Sequence, residues 1–148
     1  MAAPLTTQSV LGWREWVGLP DLGISHLKAK VDTGARSSSL HAFDIQTFDR
    51  DGKSWVKFKV HPQQHDDTET VCCEAEIKDY RQVTDSGGHR SMRYVIETTL
   101  ALGDQQLSIE MTLADRSDML FRMLIGRTAM KNYIVDPSRS YCAREPQP

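Results

Sequence analysis

An all-β fold, a barrel or closed sandwich of many short strands, is what this 148-residue sequence predicts. Three observations lead there. Apolar and polar residues alternate at a period of two through a succession of short runs. Turn-forming residues, Asp51-Gly52, Ser86-Gly87-Gly88 and Gly103-Asp104, stand between those runs. Only one stretch, 128–133, is suited to helix, and it has room for one or two turns.

In chain order, residues 10–17 alternate large apolar with polar side chains and read as a strand, punctuated by Pro20 and Gly23. Residues 27–31 form the next strand and deliver the chain to Asp32. An extended course resumes over 37–42. Residues 43–48 and 56–60 flank Asp51-Gly52 as a hairpin, the second arm alternating Val56, Phe58 and Val60 with Lys57 and Lys59. After a polar loop over 61–70, Val71, Cys73, Ala75 and Ile77 share one face of a strand, which makes Cys73 a core residue rather than a nucleophile. Runs over 80–83 and 94–100 flank the glycine-tipped turn, and Leu107, Ile109, Met111 and Leu113 follow Gly103-Asp104. Residues 119–125 read as a buried strand ended by Gly126, and 133–135 as a last strand stopped by Asp136-Pro137. We expect a flexible tail over 1–9, a single domain over 10–142 and a flexible tail over 143–148.

Hydrophobic residues make up 39% and charged residues 26%, the balance of an ordinary globular protein. A net charge of -2 argues against general nucleic-acid binding. No apolar run approaches membrane-spanning length and the first ten residues carry no secretion signal, so a cytoplasmic location is expected. The three cysteines give no disulfide framework, and reduced thiols are expected.

The stretch that could carry chemistry is Lys28-Ala29-Lys30-Val31-Asp32-Thr33-Gly34-Ala35-Arg36. It runs an alternating strand into a carboxylate, and Gly34 would supply the positive φ of a sharp turn. An Asp-Thr-Gly taken alone is most simply an Asx turn in which Asp32 caps its own backbone. Here it is followed in order by the glycine-tipped hairpin at Gly87-Gly88 and by Leu124-Ile125-Gly126-Arg127.

That ordered set resembles retropepsin-type aspartic proteases. The wider chain, through Gly12-Trp13-Arg14-Glu15-Trp16, Leu40-His41-Ala42, Gly87-Gly88-His89-Arg90 and Val135-Asp136-Pro137-Ser138-Arg139-Ser140, resembles the RimB-type family, formerly labelled ATP-dependent zinc proteases. The resemblance implies a retropepsin-like closed β-barrel with one short C-terminal helix. It implies that Asp32, Thr33 and Gly34 are catalytic, and that Leu124, Ile125 and Gly126 pack behind their loop. The glycine hairpin would be a flap over substrate; together with the charged residues beside the three motifs this makes Ala35, Arg36, His41, Gly87, Gly88, His89, Arg90, Arg93 and Arg127 the expected substrate-binding residues. It also implies a functional link to a RimK-like ATP-grasp ligase that attaches glutamates to a protein.

The older family label does not fit the residues. A catalytic zinc site needs ligands at set spacing, such as His-Glu-x-x-His, and His26, His41, His61, His65 and His89 are scattered. No phosphate-binding loop is present, so any ATP dependence would come from a partner, and no cofactor or metal is expected. An aspartic peptidase needs two carboxylates sharing one proton, whereas this chain has one Asp-Thr-Gly. A homodimer would supply the second Asp32, with Thr33 tying the two loops together. Asp115, Asp118 and Asp136 are rivals without a comparable strand-end turn.

The expected function is therefore peptide-bond hydrolysis by a homodimeric aspartic endopeptidase. Two alternatives stand beside it: a non-catalytic β-barrel for peptide binding or dimerisation, and a zinc-dependent peptidase. Cations flank each of the three motifs: Lys28, Lys30 and Arg36 the first, Arg90 and Arg93 the second, Arg122, Arg127 and Lys131 the third. If these segments converge on one cleft, the substrate is an acidic or glutamate-tailed peptide.

Overall fold

The computed structural model describes residues 9–63, 68–85, 87–115 and 121–146. These form strands β1 (Ser9–Leu11), β2 (Arg14–Leu19), β3 (Ile24–Val31), β4 (Ser38–His41), β5 (Phe43–Arg50) and β6 (Lys53–Val60). They continue as β7 (Val71–Glu76), β8 (Asp79–Thr84), β9 (Arg90–Leu102), β10 (Gln105–Ala114), β11 (Met123–Ile125) and β12 (Tyr133–Val135). Short 3₁₀ turns occupy Pro20–Leu22 and Arg127–Met130.

The main sheet runs β10-β4-β11-β3-β2-β9-β8, and a further pairing of β10 with β9 turns it into a ring of strands. The retropepsin-like all-β fold is thus present, though the seam between β2 and β9 rests on a single registered pair, Gly18 with Ala101, so the barrel is not formally closed. A three-stranded sheet, β5-β6-β7, packs against the ring, and β1 pairs in parallel with β12. Val56, Phe58, Val60 and Cys73 from the small sheet share one core with Leu27, Ala29, Ile96, Leu100, Met111, Met123 and Ile125 of the ring. The period-two reading of β6 and β7 places these side chains inward as expected, and burial pushes the Cys73 thiol up to about 12. No helix of the described residues is long and apolar enough to cross a membrane.

The hairpin at Asp51-Gly52 follows from its dipeptide. Both residues adopt the left-handed region (φ 53° and 79°), the pattern whose twist matches that of the flanking strands. Three expectations are corrected. The strand read over 10–17 is two strands, broken at Gly12-Trp13, where the Trp13 N–H donates to the Arg139 carbonyl at 2.8 Å and the C-terminal segment crosses. The helical reading of 128–133 resolves into a 3₁₀ turn over Arg127–Met130, because Tyr133 already belongs to β12. The strand read over 119–125 is regular only from Met123 to Ile125, while 116–120, including Asp118, lie outside the described residues.

What positions the site is the insertion of β11 between β3 and β4. β11 pairs in parallel with β3 (Val31 opposite Ile125) and antiparallel with β4. The ends of β3 and β11 therefore emerge side by side, and Asp32 and Gly126 leave the sheet together.

Candidate functional site

Asp32 is the first residue beyond β3 and is half-buried. Its backbone N–H donates to the Ile125 carbonyl at 2.9 Å, which ties the loop to the end of β11. Carboxylate Oδ1 accepts the Gly34 N–H at 3.0 Å, and the Asp32 carbonyl accepts the Ala35 N–H at 3.3 Å. The Asx turn is therefore real and is itself the device that aims the carboxylate. Gly34 is not in the left-handed region, contrary to expectation. A Cβ there would stand 3.3 Å from Asp32 Oδ1, close enough that the carboxylate would have to shift by a few tenths of an ångström.

The loop after β11 lies behind the Asp32 loop. The Arg127 and Thr128 N–H groups donate to the carbonyls of Ala35 (2.7 Å) and Arg36 (3.1 Å), and Arg127 Nη1 donates to the Thr33 carbonyl at 3.1 Å. Gly126 N–H donates to Ser38 Oγ at 3.0 Å. Ile125 and Gly126 are buried and Leu124 half-buried.

Asp32 opens onto a cavity of about 530 Å³. Gly34, Ala35, Arg36, Ser37 and Ser39 form one side of it, Arg81 to Asp85 and Arg93 the other, with Thr112, Ala114 and Leu124 completing the lining. The fold thus brings Gly34, Ala35, Arg36 and Arg93 into the lining of the cavity with Asp32, and leaves His41, Gly87, Gly88, His89, Arg90 and Arg127 out of that lining. Arg127 is exposed and holds the Thr33 carbonyl. Gly87 and Gly88 sit at the hairpin tip, and His89 lines a second cavity. Arg90 lies in neither lining, and Lys131 faces a third, distant cavity. The picture of all three cationic stretches converging is corrected accordingly.

The hairpin tip is organised by Asp85, which is not among the residues expected from the sequence. Asp85 Oδ1 accepts the N–H groups of Gly87 and His89, both at 2.9 Å, and Gly88 takes φ 81°. Asp85 precedes two glycines, the composition of an Asx-type turn, which is the signal that could have found it. Arg81 was missed because it sits mid-strand. Its Nη2 donates to Glu110 Oε1 at 2.9 Å, holding that carboxyl below its usual range.

His41 does not line the cavity either. It is buried beyond it, Nδ1 lies 3.3 Å from the Ala114 carbonyl, and the ring stacks on Phe43. Burial lowers its pKa from 6.5, helped by Arg122 and opposed by the Ala114 carbonyl and Asp115. The folded state therefore binds this proton less readily than the unfolded chain, and unfolding takes up protons below about pH 6.5. Stability is expected to fall as pH drops below that value. Urea midpoints at pH 7.5 and 5.5 should differ less in His41→Gln than in the parent; an unchanged difference would clear His41 of that role.

Among the described residues, no group of three or more His, Cys, Asp or Glu is placed to hold a metal ion.

A strand-end Asp-Thr-Gly backed by a Leu-Ile-Gly loop on a ring of β-strands defines a retropepsin-like protein. More narrowly, the chain belongs to the RimB-like family, described as "Retropepsin-like aspartic endopeptidase RimB", whose model matches residues 10–146. Relatives include proteins named "Probable alpha-L-glutamate ligase". The one from Desulfotalea psychrophila is 46% identical over 132 residues, 88% of this chain and 28% of that protein. The one from Shewanella pealeana is 43% identical over 137 residues, 92% of this chain and 30% of that protein. The chain thus spans less than a third of the length of these curated relatives. A solved structure of a Legionella pneumophila protein of unknown function matches with a TM-score of 0.79 and 28% identity, covering 93% of this chain and all of that one.

These names correct the expected function. The reading as a homodimeric endopeptidase hydrolysing peptide bonds is overturned by relatives named for a ligase, and the solved neighbour carries no function to restore it. The names agree with the ligase link that the resemblance implied.

Proposed function

We propose that this chain is the glutamate-holding domain of an α-L-glutamate ligase system, binding a glutamate-rich peptide in the groove beside Asp32. The observation that carries this reading is the cavity wall. Two guanidinium side chains, Arg36 and Arg93, and the hydroxyl residues Ser37, Ser39 and Thr112 line one groove with Asp32 and Asp85, while Arg81 in the same wall is ion-paired with Glu110 and Asp79. Guanidinium groups bind carboxylates in fork geometry, and hydroxyls can complete the hydrogen bonding of an extended chain. The relatives' names supply the chemical class, since a protein named for joining glutamate must hold a glutamate-bearing chain. Its partners in this reading are a ligase and a second copy of the chain.

The test is binding of a labelled hexaglutamate peptide against an otherwise identical hexaglutamine peptide, at low and at physiological salt. Hexaglutamate should bind at least about tenfold tighter at low salt, with the advantage shrinking as salt screens the groove. Equal affinities at both salt concentrations would remove the proposal.

A further inference from the structure

Lys28 and Lys30 precede Asp32 along β3, yet neither lines any of the three cavities. They lie on the outer face of the β2–β3 pair. In that register Glu15 and Ala29, both fully buried, stand opposite each other, so their strand neighbours turn outward: Arg14 opposite Lys30, and Trp16 opposite Lys28. Lys30 is exposed, and Arg14, Trp16 and Lys28 are half-buried.

Like charges directly opposite on a strand pair repel, and a carboxylate set between Arg14 and Lys30 would relieve that repulsion. None is there. Among the described residues, no Asp or Glu comes within ion-pair distance of Arg14, Lys28 or Lys30. Glu145, beside this face, is turned to His26 at 3.2 Å, and Glu15 lies on the buried face with its oxygens taken by three backbone N–H groups. The contacts these cations do make carry no charge. The Arg14 guanidinium lies 4.5 Å from the centre of the Trp13 ring and 5.0 Å from that of Tyr141, and its Nε donates to Ser140 Oγ at 3.2 Å. Lys28 Nζ stands 5.2 Å from the centre of the Trp16 ring.

The spacing of these charges suits an extended acidic chain. Residues two apart in a strand are about 6.6 Å apart along it, and so are alternate side chains of an extended peptide laid alongside. Lys28 and Lys30 therefore match successive same-face carboxylates of a glutamate run, with Arg14 a third cation about 5 Å across the strand pair. A stacked nucleobase fits less well, because the Trp16 ring is already covered by Lys28 and by Tyr141, whose ring centre is 6.3 Å away. The row also ends in the right place, since β3 stops at Val31 and Asp32 opens onto the groove.

We infer that Arg14, Lys28 and Lys30 form a binding track outside the groove that holds the distal carboxylates of a long glutamate chain, an inference that rests on the proposed glutamate-holding function. The groove takes the first residues and the track the following ones, so affinity depends on chain length.

The test compares labelled hexaglutamate and dodecaglutamate on the full chain by fluorescence anisotropy at physiological salt. A double variant, Lys28→Gln with Lys30→Gln, should weaken dodecaglutamate about fivefold or more, the worth of two exposed ion pairs, and hexaglutamate less than about twofold. The extra registers open to a longer peptide are the same in parent and variant and cancel. Lys30→Glu is the second variant. It places a carboxylate opposite Arg14, so the melting temperature should hold or rise, while dodecaglutamate weakens about fivefold; it decides if the double variant fails to fold by circular dichroism. Unchanged dodecaglutamate binding in the folded variants overturns the inference, as does equal weakening of both peptides. So does a labelled dodecauridylate that binds the parent as tightly as dodecaglutamate and loses as much in the variants, which would make this face a nucleic-acid surface. If the parent binds dodecaglutamate no more tightly than dodecaglutamine, the glutamate-holding function fails and this inference with it. If the parent discriminates and the variants keep its dependence on length, only the track is lost.

Discussion

Gly126→Ala is expected to lower stability by about 3 kcal/mol or more, at the upper end of what overpacking costs, and the melting temperature by about 10 °C. Strain in the backbone is not the reason, because φ at Gly126 is -86°, open to any residue. The reason is space. An added Cβ would sit 2.3 Å from the Ser37 carbonyl carbon, 2.5 Å from its oxygen and 2.7 Å from the Ser38 nitrogen, all backbone atoms that cannot rotate away. Retreat of either strand would break the lattice that holds the Asp32 loop: Gly126 to Ser38 Oγ, Arg127 to Ala35, Thr128 to Arg36 and Asp32 to Ile125. Ser38→Ala removes one of those bonds without adding volume and should cost only about 1 kcal/mol. Thermal unfolding ranks the two variants, and hydrogen exchange at the Asp32 amide reports whether the loop loosens before the sheet does. A Gly126→Ala protein as stable as its parent would mean that the two loops can part without penalty, and the rigidity ascribed to the site would be wrong.

How much of this was legible in the sequence depends on whether the deciding force is local. The Asp51-Gly52 hairpin, the inward faces of β6 and β7 and the stop at Gly126 were readable because turn chemistry and side-chain alternation act within a few residues. The Asp32 loop was readable as a motif, and its Asx hydrogen bond was foreseen. The positive φ expected of Gly34 is absent, and what a side chain there would meet is the Asp32 carboxylate. Convergence was the less legible part. His41 carries a charge-capable ring at the strand end, yet the pairing of β4 with β10 buries it against Ala114; Arg127 follows the motif, yet turns to hold Thr33. Arg81 enters the groove only because β8 pairs with β9, a register that composition does not reveal. The break at Gly12 is of the same kind, since its cause, the crossing of the segment around Arg139, comes from more than a hundred residues away.

Glu15 gives the second large expected effect, and it is the position where alternation was least informative. The residue is the second of β2, between Trp13 and Trp16, and it is completely buried. Burying a carboxylate is costly unless its oxygens are satisfied, and here they are. Oε2 accepts the N–H of Gly12 at 2.6 Å and of Cys142 at 2.9 Å, and Oε1 that of Ala143 at 3.0 Å. One side chain therefore closes the gap between β1 and β2 and fastens the C-terminal segment across it. The Trp13 N–H bond to Arg139 and the Tyr141 N–H bond to Arg14 (2.9 Å) continue the same seam, and Arg14 packs over the rings of Trp13 and Tyr141. Glu15→Ala would strand three N–H donors, each worth about 1–3 kcal/mol when left unsatisfied in the interior, so a loss of about 4 kcal/mol or more is expected. Glu15→Gln retains one acceptor oxygen but turns an amide NH₂ toward backbone donors, and should fall between the two. Chemical denaturation measures the loss, and exchange at the Cys142 and Ala143 amides locates it, since these should lose protection in Glu15→Gln even under conditions where β6 and β9 keep theirs. If Glu15→Gln matches the parent in both measurements, the three N–H contacts do not hold the segment, and its place on β2 must rest on the aromatic and arginine packing alone.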